Sequence, residues 1–114
     1  LRMDADERQF LLTAAWIFAR HGQRARARTL VEALCEANPR DGVPAAALAD
    51  LLLADGDALG ALRAIRMANF PPELDRVEAI LETRALAAVG RRAEGVRRWA
   101  RYLESKKGGA RKWI

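Results

Sequence analysis

The chain of 114 residues is poor in the side chains that carry covalent and redox chemistry. It has one cysteine (Cys35), one histidine (His21), one tyrosine (Tyr102) and one serine (Ser105). A single cysteine excludes an internal disulfide and suits a reducing compartment. Ser105 stands in a lysine-rich stretch near the end of the chain, so no Ser/His/Asp set can be built around it. His21 and Cys35 together are two ligands, fewer than a zinc site needs. The bland readings are that His21 ends a helix and Cys35 packs as a small apolar residue. No Gly-x-x-x-x-Gly-Lys phosphate cradle is present. No apolar run approaches the roughly 20 residues of a membrane span. The acidic, polar start shows no signal-peptide pattern. The expectation is a cytoplasmic protein that is not an enzyme, with no catalytic set, cofactor or metal.

What the chain does have is material for helices. Hydrophobic residues make up 51% and charged residues 31%. Alanine and arginine dominate, β-branched residues are few, and the length suits one small domain. The net charge of +5 is uneven. Residues 91–114 hold nine Arg and Lys against Glu94 and Glu104, which leaves the first 90 residues at −2. Such asymmetry suits nucleic acid or an acidic partner, but a basic last helix is more often a solvated face that complements its own dipole.

The chain also repeats itself. Gly22, Gly56 and Gly90 are 34 residues apart. The same shift carries Ala15 onto Ala49 and Thr83, and Phe18 onto Leu52 and Leu86. Ala27 falls on Ala61 and Gly95, and Val31 on Ile65 and Trp99. Small residues match small ones and large apolar residues match large ones, without a gap. Two antiparallel helices approach closely only where small side chains meet, and the tight turn between them needs a residue that tolerates positive φ. A 34-residue helix–turn–helix period is the tetratricopeptide pattern. The expected fold is all-α, with three such repeats in a short right-handed superhelix. Repeat 1 spans about 8–41, repeat 2 about 42–75 and repeat 3 about 76–105, followed by a basic tail at 106–114. The third repeat is the weakest, because Glu82 takes the place of the leucine.

Asp4 and Asp6 are natural caps for a first helix running to about His21. Phe10, Leu11, Ala14, Ala15 and Phe18 should face its partner helix, at about 23–37. Leu12, Trp16 and Ala19 lie on another side, and a helix apolar nearly all round needs cover on both. Pro44 sits in the first turn of the third helix, and Asp55-Gly56-Asp57 turns into the fourth. Phe70-Pro71-Pro72 halts that one. Trp99 stands at a repeat core position, whereas Trp16 falls one residue past the small position and turns away from its partner. After the sixth helix, Gly108-Gly109 should release a mobile tail that ends Trp113-Ile114. A repeat stack normally closes with a polar capping helix. Here the last repeat is either solvated by its own arginines or capped by a partner chain.

The first helix of each pair should line a concave face. Repeat arithmetic places Gln9, Leu12, Trp16, Ala19 and Arg20 on it, then Val43, Ala46, Asp50 and Leu53, then Val77, Ile80, Arg84 and Ala87. This apolar strip with charged edges suits an amphipathic helix or an extended peptide.

Phe10-Leu11-Leu12, Trp16, Gly22, Arg26-Ala27, Leu30, Ala33-Leu34 and Asn38-Pro39 resemble, at their spacing, the type III secretion chaperones of the YscY/SctY kind. Tyr102-Leu103-Glu104 with Lys106 resembles that family's closing helix. The stretch from about Gly42 to Arg98 matches only at the level of a generic repeat, and Pro71-Pro72 departs from the pattern. The resemblance implies a small cytosolic chaperone bound to a secreted partner of the YscX/SctX kind. Such a complex would engage an export-gate protein of the YscV/SctV kind at the inner-membrane apparatus during needle assembly. Chaperones for needle or translocator subunits use similar repeats and remain an alternative. A generic repeat adaptor is another. A nucleic-acid binder working through Arg91–Lys112 is a further one, although the segment lacks interleaved aromatics for base stacking.

Overall fold

A computed structural model describes residues 3–111, with side chains described as far as residue 107. Within them the chain is all-helical: α1 (Ala5–Arg20), α2 (Arg24–Ala37), α3 (Gly42–Ala54), α4 (Ala58–Met67), α5 (Asp75–Ala88) and α6 (Arg92–Arg111). A single 3-10 turn, Pro72–Leu74, precedes α5.

Local chemistry explains the boundaries. Asp4 caps α1 by accepting the Glu7 N–H at 2.8 Å, and Asp41 and Asp57 cap α3 and α4 through the N–H groups of Val43 and Gly60. The helix pairs α1–α2, α3–α4 and α5–α6 close with one and the same turn. Gly22, Gly56 and Gly90 have φ of 76°, 84° and 86°, and no other described residue has positive φ. The N–H after each glycine reaches back to Phe18, Leu52 or Leu86, at 2.8 Å in all three cases. Each glycine N–H bonds the carbonyl three residues before it, that of Ala19, Leu53 or Ala87. These are Schellman closures. A Cβ at any of the three would meet nothing within 4 Å, so glycine is needed for its φ and not for space.

Each helix packs against the next in the chain, and α3 also meets α5. The small residues sit where the helices approach: Ala27 and Ala61 are fully buried, and a Cβ on Gly95 would lie 3.1 Å from the Thr83 carbonyl. One core cluster joins Ala15, Ala27, Val31 and Leu51, and the other centres on Ala49, Leu52, Ile65 and Leu81. The radius of gyration is 15.2 Å and the principal extents are 43 × 34 × 25 Å.

The segment that follows α4 makes a crossing that the periodicity does not show. After α4 the chain crosses the start of α3, where the Asn69 N–H donates to the Arg40 carbonyl at 2.8 Å. A Cβ on Gly42 would stand 2.8 Å from both the Asn69 carbonyl oxygen and the Phe70 Cα. Gly42→Ala is therefore expected to push the crossing segment off α3 and to cost about 1–3 kcal/mol. Urea denaturation checks it: an unchanged midpoint would mean that the crossing yields freely.

Two other expectations met a different outcome. Phe10 does not pack against α2; it is 70% exposed. The α6 backbone stays helical through Gly108-Gly109 as far as Arg111. Trp113 and Ile114 lie outside the described residues.

Candidate partner-binding face

The first helices of the three pairs are joined by two ion pairs. Arg8 on α1 makes a bidentate bridge to Asp41 at the head of α3, with Nε–Oδ2 at 2.6 Å and Nη2–Oδ1 at 3.0 Å. Arg84 on α5 reaches Asp50 on α3 at 3.4 Å. The Arg8 guanidinium holds the Asp41 carboxyl below the usual carboxylate range, helped by the Val43 N–H and opposed by partial burial. Because this pKa is depressed in the folded state, its stabilisation is present above the unfolded value of about 3.9 and is lost as pH falls through the folded one. Asp41→Asn keeps the cap and removes the charge. It is expected to cost about 1–2 kcal/mol at neutral pH, and the gap to wild type should narrow below about pH 4. Parallel melts across pH read this directly; a gap that stays constant in acid would show that the bridge contributes nothing.

Every residue expected on the concave face is at least partly open to solvent. Gln9, Trp16, Arg20, Val43, Asp50, Val77, Arg84 and Ala87 are exposed, and Leu12, Ala19, Ala46, Leu53 and Ile80 are half-buried. Ala19 rests on the core cluster of α1–α3, and Ala46 and Leu53 on that of α3–α5. Trp16 is 60% exposed, and the Arg20 guanidinium stands over its ring at 4.8 Å. This cation–π contact biases the orientation of an exposed indole before anything binds. Asp50 with Arg84, and Trp16 with Arg20, are the expected residues that the structure brings into direct contact.

Two recesses among the described residues involve the second helices. An open cleft of about 680 Å³ separates α4 and α6, lined by Arg66, Glu82, Arg97 and Arg101 among others. A smaller apolar one of about 310 Å³ lies between α2, α3 and α4 beside Cys35. Burial pushes the Cys35 thiol up to about 11, so it stays neutral at physiological pH and is no nucleophile. His21 is exposed at the end of α1.

Glu82, the weakest match in the periodicity, has an explanation that only contacts supply. It accepts from Arg98 on α6 at 2.6 Å and lies 3.6 Å from Arg66 on α4. A carboxylate thus replaces the leucine because two arginines from neighbouring helices converge on it. The basic helix also occupies its own aromatics: Tyr102 stacks on Trp99 with ring centroids 5.1 Å apart, and Lys106 lies 5.6 Å from the Tyr102 ring. Among the described residues no helix is long and apolar enough to cross a membrane.

No family model matches the chain, and no curated protein matches it in sequence.

Proposed function

We propose that this chain is a small chaperone of a type III secretion system, whose α1–α3–α5 face holds an apolar segment of a secreted partner. In this reading the six helices are three tetratricopeptide repeats in a short right-handed superhelix. Three identical glycine closures at a 34-residue interval support it, as do the small residues where paired helices approach. The partner proposed is of the YscX/SctX kind, and the complex would engage an export gate of the YscV/SctV kind. That identity draws on the resemblance of the first repeat and of Tyr102-Leu103-Glu104.

The observation that carries the binding function is Trp16. A large aromatic side chain that turns away from its own core and is braced by Arg20 is the kind of residue that anchors interfaces. Leu12, one turn earlier and half-buried, extends the same apolar strip.

Co-expression with a tagged YscX/SctX-like protein, with a needle subunit and with a translocator tests the proposal. Stoichiometric co-purification with the first is the expected result. Capture of a needle subunit or translocator instead would move the protein to the alternative chaperone class. A well-behaved monomer that retains none of the three would overturn the reading.

A further inference from the structure

Both ends of the row of helices expose apolar side chains at positions that are covered inside it. On α1, Phe10, Thr13 and Ile17 fall, at the 34-residue shift, on Pro44, Ala47 and Leu51, and then on Glu78, Leu81 and Ala85. Pro44, Leu51, Leu81 and Ala85 are buried, and Ala47 and Glu78 are half-buried. Ala47 and Leu51 pack onto the α1–α2 cluster, and Leu81 and Ala85 onto the α3–α4 cluster. On α1 no described residue covers the equivalent positions: Phe10 is 70% and Ile17 46% exposed.

The far end mirrors this. Val96 and Trp99 on α6 correspond to Leu62 and Ile65 on α4, which are buried against α5. Leu103 corresponds, two repeats earlier, to Cys35, which packs against the core cluster that includes Leu51 of α3. Yet Val96 is 63% and Leu103 44% exposed, and Trp99 is only half-buried. The face of α1 is thus of the kind that meets a second helix from the preceding pair, and the face of α6 is of the kind that meets a first helix from the following one.

Charge selects the occupant. Where one pair follows another, the first helix starts beside the end of the helix before it: α3 begins at Gly42, just after α2 ends at Ala37. A second copy placed in that manner would set its Asp4, Asp6 and Glu7 beside Lys106 and Lys107 of the first. All five of these side chains are exposed. The acidic start and the basic end of one sequence are complementary in this arrangement, whereas a head-to-head contact with the two α1 helices parallel would bring the acidic ends together.

We infer that the chain self-associates head to tail, with α1 of one copy stacking on α6 of the next and the helical row continuing across the joint. This stacking rests on the repeat reading of the fold and is independent of the partner proposed for the α1–α3–α5 face. Such a contact is heterologous, so association does not stop at two unless a ring closes. It should weaken with salt, because its polar part is exposed charge.

Two variants each block one end: Ile17→Arg blocks the head and Val96→Arg the tail. Phe10→Arg and Leu103→Arg serve as second choices should either of the first pair lose its helical circular dichroism. Light scattering coupled to gel filtration should show wild-type mass rising with concentration past the dimer. Each variant alone should stay at the 12.6 kDa of one chain. An equal mixture of the two should form a species of twice that mass, because each variant keeps one good end. Three results would each overturn the inference: a wild type that stays monomeric at all concentrations, a Val96→Arg variant that still dimerises, or a mixture that fails to pair. The second would point to a symmetric α1–α1 contact. Co-purification with the secreted partner is measured separately, so a failure of stacking and a failure of the chaperone reading are told apart.

Discussion

Trp16→Glu is expected to weaken capture of the secreted partner by about 30-fold or more while the helices remain intact. The size follows from the ~2 kcal/mol or more that a central aromatic anchor commonly supplies. The survival of the fold follows from geometry. Trp16 is mostly exposed, so its removal leaves no cavity in either core cluster. A glutamate at 16 would also stand four residues before Arg20, the favourable order for an ion pair along a helix. Met67→Glu is the matched control. It makes an equally drastic change at an exposed apolar side chain on α4, beside the recess between α2, α3 and α4, and should leave capture unchanged. If Trp16→Glu retains the partner at wild-type levels, the anchor lies elsewhere on the molecule.

Ile65→Ala is expected to cost about 2–5 kcal/mol, the largest loss of stability from a single truncation in this chain. Ile65 is among the largest fully buried side chains and packs in the cluster that joins α3, α4 and α5, so its loss opens a cavity shared by three helices. Against a total stability of roughly 5–15 kcal/mol for a domain, that loss brings the chain close to unfolding. The denaturation midpoint should fall with little change in slope. Leu59→Ala on the outer face of the same helix should cost well under a third as much, because Leu59 is half exposed. Equal losses for the two would mean that α4 is not packed as described.

Much of the fold was legible from particular residues. The three glycines announced three positive-φ turns, and the alanines at 27 and 61 with Gly95 announced the close approaches. Trp16 could be assigned to the outside from its offset by one residue from Ala15. Each of these depends on a contact between neighbouring helices, whose geometry a turn of a few residues dictates. Less was legible about the site. Solvent exposure is a property of what else is near, and Phe10 shows the difficulty: its spacing suits a packed position, and no helix arrives to cover it. Its match to Pro44 at the 34-residue shift does not reveal this, since Pro44 is fully buried and Phe10 is 70% exposed.

By itself the sequence determined that the chain is helical, where its helices turn back, and which small residues let them touch, because propensity, capping and turn chemistry act within a few residues. Only the tertiary structure decided that Glu82 is shared by Arg66 and Arg98, that Gly42 makes room for the Asn69–Phe70 crossing, and that Arg8 clasps Asp41. These contacts join groups 16 to 33 residues apart in the chain. Their strength depends on where packed helices place a charge or a carbonyl, and no local pattern encodes that.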